Sequence, residues 1–245
     1  MQRAIDTSRR IGLQLLDFLY PLHCVLCAVK VDPQAGELCQ ECLRRFPKNE
    51  PPFCPFCGHG NLIERDPLLC PTCHGRPFVF DRAWSAFRYE REVREVVHQF
   101  KYREHALLAR PLTECLVHFA QEEVPMDGVD VLLPVPLSRR RERERGFNQS
   151  ALLARGVAHA FGLPIWRGVL VRQRQTPPQI ELSKEERARN VAGAFRVKGT
   201  FPLQGKRLLL VDDVFTTGAT VNACASVLKE AGAGSVSVLT LARGR

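Results

Sequence analysis

The sequence lacks any apolar run that approaches the length of a membrane-spanning helix. Its segment 1–20 contains arginines, but Gln14 and Asp17 interrupt the apolar stretch and no small-residue cleavage site follows, which argues against a secretory signal. Several apolar residues of this segment share one helical face, so we interpret 1–20 as an N-terminal docking helix. We therefore expect no membrane span, and the cysteine spacing described below predicts a cytoplasmic protein.

Two common phosphate-binding patterns are also missing. The sequence has no GxxxxGK segment followed by Ser or Thr, and no GxGxxG segment after a predicted strand, which argues against a P-loop or a Rossmann site. It has instead RLLLVDDVFTTGAT at 207–220. Its apolar run 208–211 is typical of a buried parallel strand, and a helix-like segment follows the Thr/Gly turn. The pattern predicts a strand, a ligand loop and a helix N-terminus in succession.

The turn at 216–220 is suited to a phosphate group, because backbone N–H groups at a helix N-terminus have no partner inside the helix and carry the positive end of its dipole. Adjacent aspartates would repel that anion unless they faced donors such as ribose hydroxyls. The stretch resembles the phosphoribosyl pyrophosphate (PRPP) motif of type I phosphoribosyltransferases. The predicted PRPP-binding residues are Asp212, Asp213, Phe215, Thr216, Thr217, Gly218, Ala219 and Thr220.

Eight of the ten cysteines form four CxxC pairs. This is metal-ligand spacing and fits a reducing compartment, whereas cysteines of a secreted protein would suggest disulfides. Two CxxC knuckles complete the four-thiolate shell typical of structural zinc. The predicted ligands of two zinc ions are Cys24, Cys27, Cys39, Cys42, Cys54, Cys57, Cys70 and Cys73. Cys115 and Cys224 stand alone on predicted helices and are interpreted as buried thiols.

The knuckles are compatible with two arrangements, one zinc per consecutive pair or a cross-braced use of alternate knuckles. The gap from Cys27 to Cys39 is eleven residues and the gap from Cys57 to Cys70 is twelve, and this near-equality favours the consecutive arrangement. We predict a double zinc ribbon at 21–78 and a phosphoribosyltransferase-like domain at 79–245. If these are separate domains, loss of a ribbon should leave PRPP affinity largely intact.

Beyond residue 79 the apolar patterns predict strands that alternate with helices. The predicted strands are 83–89, 129–136, 164–171, 208–211 and 235–241, and the predicted helices include one around 93–100 and others at 106–121 and 148–161. Alternation of this kind implies an α/β fold with a mostly parallel sheet, here of the type I phosphoribosyltransferase kind. Ligands of such sheets bind at the carboxyl ends of the strands, where the aspartates are expected.

Two basic segments are candidates to complete the site. Five arginines lie within 139–145, which we interpret as a loop that grips pyrophosphate, since arginine supplies bidentate donors. A nucleic-acid patch and a solvated loop are the alternatives. The long polar segment 172–191 is typical of a lid or of a disordered loop, and a lid suits the chemistry because it would shield the reacting ribose carbon from water. The candidate pyrophosphate and catalytic residues are Arg139, Arg140, Arg145, Lys184, Arg187 and Arg189, together with Asp212 and Asp213.

Five segments, in this order behind a Cys-rich N-terminus, resemble the ComF family, also called ComFC or GntX proteins. They are PVPL, RGFNQS, RQTPPQ, NVAGAF and VDDVFTTGAT. The resemblance covers essentially the whole chain. It implies a double zinc ribbon fused to a type I phosphoribosyltransferase domain, and a link to DNA uptake in naturally competent bacteria. It does not identify the acceptor.

Two functions fit these features. The first is a PRPP-binding phosphoribosyltransferase with an unknown acceptor, in which Mg²⁺ bridges the pyrophosphate and the ribose hydroxyls. The second is a non-enzymatic factor that keeps the fold and contacts single-stranded DNA or competence and DNA-processing proteins through its ribbons and arginines. Few aromatic residues interleave with the arginines, Phe147 being the exception, which weighs against direct stacking on bases.

Overall fold

The computed structural model describes residues 21–62, 70, 73, 78–173 and 193–244. Its helices are α1 (Gln40–Arg44), α2 (Arg91–Gln99), α3 (Ala109–Glu123), α4 (Arg139–Arg145), α5 (Gln149–Phe161) and α6 (Ala219–Glu230), with short 3₁₀ helices at Arg103–Leu108 and Met126–Gly128. Its strands are β1 (Arg82–Arg88), β2 (Val131–Pro134), β3 (Leu170–Arg172), β4 (Phe195–Val197), β5 (Arg207–Phe215) and β6 (Ser235–Arg243). The predicted docking helix at 1–20 lies outside the described residues, as do Lys184, Arg187 and Arg189.

Within the described residues, four strands form a sheet in the order β1-β6-β5-β2, and every neighbouring pair is parallel. Strands β3 and β4 form a separate antiparallel pair. The α/β class with a mostly parallel sheet is therefore confirmed. Because all four strands run the same way, their carboxyl ends meet at one edge. That edge carries Pro134 of β2, Phe215 of β5 and Arg243 of β6.

Strand β5 is covered by a hydrophobic core on each face. Leu209 and Val211 belong to one core, and Leu208 and Leu210 to the other. Successive side chains of a strand point to opposite faces of the sheet, so a strand covered on both sides needs apolar residues at every position. This explains the unbroken apolar run that predicted a buried strand.

Each cysteine cluster packs into one of these two cores. Cys24 and Cys42 belong to the core that contains α2 and α3 side chains. The second set, Cys54 to Cys73, shares its core with Phe80 and Phe215 of the α/β part. The division between 21–78 and 79–245 stays a prediction, but residues of the ribbons and of the sheet are buried together.

The arginine-rich segment predicted as a loop is a helix, α4. Ser138 begins it, since its hydroxyl accepts a hydrogen bond from the Arg141 backbone N–H at 3.4 Å, and Gly146 ends it in the left-handed conformation at φ 78°. Arg140 and Glu144, one turn apart, form an ion pair of 3.2 Å. The alternating arginines and glutamates thus satisfy helical spacing, which a count of positive charge does not reveal.

The strand predicted at 164–171 is much shorter than expected. Ile165 makes one parallel bridge to Leu132, and regular pairing begins only at Leu170. Gly168 lies between them with φ 81°, a conformation that interrupts a strand. The chain therefore leaves the edge of the main sheet and continues as β3 of the antiparallel pair. None of the helices in the described part of the chain is long and apolar enough to cross a membrane.

Candidate functional site

The two adjacent aspartates lie near the carboxyl end of β5, at the sheet edge where ligands of parallel sheets bind. The carboxylate of Asp212 accepts a hydrogen bond from the Ser150 hydroxyl at 2.8 Å and one from the Asp213 backbone N–H at 2.9 Å, both on Oδ1. Asp213 Oδ1 accepts a hydrogen bond from the Val214 N–H at 2.7 Å. The two carboxylates are thereby held in fixed orientations.

The pKa of Asp212 is raised to about 7, chiefly by burial and then by the negative charge of Asp213. The hydrogen bond from Ser150 and the charge of Lys101 act in the opposite direction. Asp212 thus exchanges its proton near neutral pH. A ligand that supplies hydroxyl donors would favour the ionised form.

Two cations from other elements lie near the aspartates, and a buried glutamine joins one of them to the end of α2. Lys101, just after α2, places its ammonium 3.8 Å from Asp213 Oδ2. Gln149, at the start of α5, is 1% exposed and donates to the Phe100 carbonyl at 3.1 Å. Arg145 donates to the side-chain oxygen of Gln149 at 3.0 Å. Burial lowers the pKa of Arg145, while the charge of Asp213 opposes this shift, so the guanidinium lies within electrostatic range of the pair.

The Thr/Gly turn follows directly. Gly218 begins α6 in the left-handed conformation at φ 76°. A Cβ placed there would lie 2.6 Å from Cζ of the Phe215 ring. The sequence predicted Gly218 as a PRPP-binding residue. In the structure its first requirement is internal, because both its φ and its contact with Phe215 exclude a side chain.

A basic cavity of about 580 Å³ lies at the carboxyl end of β2, between β2 and α4. Its lining includes one acid, Glu142, and the cations Arg139, Arg167, Arg172, Arg196 and Lys198. Burial is the main cause that lowers the pKa of Arg172, and the charge of Asp212 opposes that shift, which places this part of the cavity near the aspartates. Arg140 is not brought there, since its ion pair with Glu144 is exposed.

Sequence reasoning assigned no role to Lys101, Gln149 or Ser150. One sequence pattern could have predicted a role for Gln149 and Ser150, because they are two polar residues in the first turn of a helix that follows a predicted strand. Both are nearly fully buried. Lys101 had no such pattern, because it reaches Asp213 from an element more than a hundred positions away in the chain.

The eight paired cysteines form two clusters, Cys24, Cys27, Cys39 and Cys42 in one, and Cys54, Cys57, Cys70 and Cys73 in the other. Within each cluster the ligand atoms lie within 4.8 Å of one another. Sulfur pairs are 3.6 Å apart for Cys27 and Cys39 and 3.4 Å for Cys54 and Cys73. A tetrahedral zinc with bonds of about 2.3 Å requires sulfurs about 3.8 Å apart, so both clusters fit zinc. The arrangement is consecutive.

An arginine donates to one sulfur of each cluster. Arg45, which is exposed, reaches Cys42 Sγ at 3.3 Å, and Arg243, which is buried, reaches Cys57 Sγ at 3.2 Å. Such donors stabilise thiolates, the form that binds metal.

The two remaining cysteines follow the prediction in part. Cys224 is buried in α6, and burial raises its pKa well above the usual range. Cys115 in α3 keeps some exposure, and burial of its thiol raises its pKa to about 11. Both are free thiols and are predominantly protonated at neutral pH.

The fold and the two kinds of site define a class: a protein with a double zinc ribbon and a phosphoribosyltransferase domain. Family models support both parts. The double zinc ribbon domain matches residues 15–74, and the phosphoribosyl transferase domain matches residues 147–245.

Among curated relatives, the DNA utilization protein YhgH of Salmonella typhimurium is 34% identical over 227 residues, covering 91% of this chain and 97% of its own. Competence protein ComFC of Bacillus subtilis is 31% identical over 211 residues, covering 84% of each chain. The chain belongs to the ComF family. Among solved structures, the glutamine PRPP amidotransferase of B. subtilis, complexed with ADP and GMP, has 27% identity and a TM-score of 0.38, covering 55% of this chain and 26% of that one.

Proposed function

We propose that this protein binds PRPP and transfers its phosphoribosyl group to an acceptor. The observation that carries the proposal is the joint position of Asp212, Asp213 and the turn that begins α6, all at the carboxyl edge of a parallel sheet. Carboxylates accept hydrogen bonds from ribose hydroxyls, and a helix N-terminus binds phosphate. A 5-phosphorylated ribose carries both hydroxyls and a phosphate, and the aspartates and the turn that would bind them are separated by one short loop.

In the proposed complex the 5-phosphate occupies the turn at 216–220, and Asp212 and Asp213 accept the ribose hydroxyls. The pyrophosphate extends into the basic cavity, where Arg139 and Arg172 offer bidentate donors. Bound Mg²⁺ would supply charge neutralisation between the pyrophosphate and the ribose oxygens. Lys184, Arg187 and Arg189 remain predicted pyrophosphate residues.

The proposed reaction breaks the bond between ribose C1 and the pyrophosphate oxygen and forms a bond from C1 to the acceptor. The leaving pyrophosphate keeps the electron pair of the broken bond. Positive charge develops on the ribose, so the adjacent carboxylates stabilise it by position and charge, with no protein nucleophile. Arg145 and Lys101 lie at the same edge, and their positive charges offset the negative charges of the aspartates.

The second candidate is a non-enzymatic DNA-processing factor. The relatives' names, DNA utilization protein and competence protein, support a role in DNA uptake for this chain as well. Cysteine clusters with metal-ligand geometry suit the reducing cytoplasm, where such a factor would meet incoming single strands. In this case PRPP would act as a ligand without turnover.

Calorimetry with PRPP and Mg²⁺ tests the first proposal. Asp213→Ala removes an acceptor of ribose hydroxyls, so binding should weaken by about 2 kcal/mol, the typical effect of leaving a buried partner unpaired. The control is Asp130→Ala, because Asp130 pairs with Arg207 at the opposite end of β5. Wild-type affinity in Asp213→Ala would refute the site. A pyrophosphate-release assay with and without single-stranded DNA then separates the enzyme from the factor that only binds.

A further inference from the structure

Arg243 is a buried cation between the second cysteine cluster and the loop after β5. It ends β6 and is 3% exposed. A buried charge is unfavourable unless an opposite charge or a hydrogen-bond acceptor meets it. Its Nη2 donates to Cys57 Sγ at 3.2 Å, whereas Nε and Nη1 are buried without a hydrogen-bond partner among the residues that the structure describes. The negative charge that offsets the guanidinium is therefore that of the thiolates of the cluster.

The same guanidinium lies on the ring of Phe215. Its Cζ is 4.2 Å from the ring centroid, within the range of a cation–π contact. The two residues are also partners in the register of β5 and β6, and the next N–H, of Gly244, donates to the Phe215 carbonyl at 2.8 Å. Arg243 thus holds the Phe215 ring through its side chain, and its neighbour Gly244 holds the Phe215 backbone.

The Phe215 ring also supports the Thr/Gly turn at the start of α6. Gly218 sits so close to the ring that a Cβ would lie 2.6 Å from its Cζ. Phe78 and Phe80 close two other sides of the ring in edge contacts, with centroids 6.4 and 5.8 Å away. Because the ring is enclosed, it cannot shift without moving Gly218, the residue on which the helix N-terminus depends.

We propose that Arg243 is a positioning residue that couples the second cysteine cluster to the phosphate-binding turn. Zinc in the cluster and a phosphorylated ribose in the turn then stabilise each other's binding, since coupling between two sites is reciprocal. The inference rests on the proposed function, because it requires that the turn bind a phosphate. Arg45 is the matched residue of the first cluster, exposed and bonded to Cys42.

The wild-type protein allows a direct test with ribose 5-phosphate. Equilibrium competition with a chromogenic chelator measures the affinity of each zinc with and without saturating ligand. We expect two zinc ions, of which one binds at least about fivefold more tightly when ligand is present, the lower end of typical coupling. The affinity of the other ion should not change.

Two variants place the coupling on Arg243. Arg243→Met removes the charge and the planar group but keeps an unbranched apolar stem. It should weaken binding of one zinc about tenfold, weaken binding of ribose 5-phosphate and abolish the ligand's effect on zinc affinity. Arg243→Lys keeps the charge without the planar contact, and should likewise abolish that effect. Arg45→Met should change the affinity of the other zinc and leave ribose 5-phosphate affinity unchanged.

Each outcome decides the proposal. Ligand binding that leaves both zinc affinities unchanged would overturn the coupling and leave the proposed function intact. Failure of the wild-type protein to bind either ribose 5-phosphate or PRPP would overturn both. Equal loss of ligand affinity in Arg45→Met and Arg243→Met would mean general destabilisation and would also overturn the coupling. If the Arg243 variants do not fold, the wild-type measurement decides.

Discussion

Binding of ribose 5-phosphate should depend on pH through Asp212. The pKa of its carboxyl is raised to about 7 by burial and by Asp213, so in the free protein about half of the molecules carry it protonated at pH 7. A ligand whose hydroxyls donate to Asp212 requires the carboxylate. The apparent affinity for this ligand is therefore proportional to the fraction of Asp212 that is ionised. That fraction falls about tenfold between pH 8 and pH 6.

The sign of the stability effect is opposite. The pKa of Asp212 in the folded protein lies above its ordinary value of 3.8, so the folded state binds the proton more tightly than the unfolded state. The stabilisation from this proton is complete below pH 4 and is lost as the pH rises through about 7. Unliganded protein should therefore lose stability across this interval, while ligand affinity increases.

Calorimetry in two buffers of different ionisation enthalpy measures the effect, because it counts the protons released on binding. At pH 6.5 the wild type should release most of one proton from Asp212. The ligand's own phosphate also titrates in this range, so Asp212→Asn serves as the reference, and only the difference between the two proteins is assigned to Asp212. Ser150→Ala removes a hydrogen bond that lowers the pKa of Asp212, and should shift the profile to higher pH. Identical proton release in wild type and Asp212→Asn would refute the reasoning.

Two further predictions concern the turn and the cavity. Gly218→Ala should destabilise the protein by about 1 kcal/mol because of its positive φ, and further because the new Cβ would meet the Phe215 ring. Gly205→Ala, at φ 70° with open space around it, should show only the effect of φ. Thermal unfolding compares the two variants, and equal losses of stability would contradict the role of the Phe215 contact. Replacing Arg139 and Arg172 together by Gln should weaken the binding of PRPP much more than that of ribose 5-phosphate, and should leave the salt dependence of DNA binding unchanged. A flatter salt dependence with intact PRPP affinity would instead assign the cavity to DNA.

The sequence by itself determined the features that depend on near neighbours in the chain. Four CxxC pairs predicted two cysteine clusters, because a knuckle needs only a few residues to aim two sulfurs at one metal. The apolar run before Asp212 predicted a strand buried on both faces. The helix α4 was missed, although Ser138 and Gly146 mark its two ends, because the arginines were weighed as charge rather than as helical positions.

Only the tertiary structure decided which distant residues meet at the site. Lys101 reaches Asp213, and Ser150 reaches Asp212 from 62 positions away, since the parallel sheet brings α5 and the end of α2 to one edge. Arg243 and Cys57 are 186 positions apart, yet they make the contact that joins a cysteine cluster to the turn. No periodicity in the chain encodes such pairs. They follow from strand order and register, which place β6 beside β5 and bury the Arg243 guanidinium between a sulfur and the Phe215 ring.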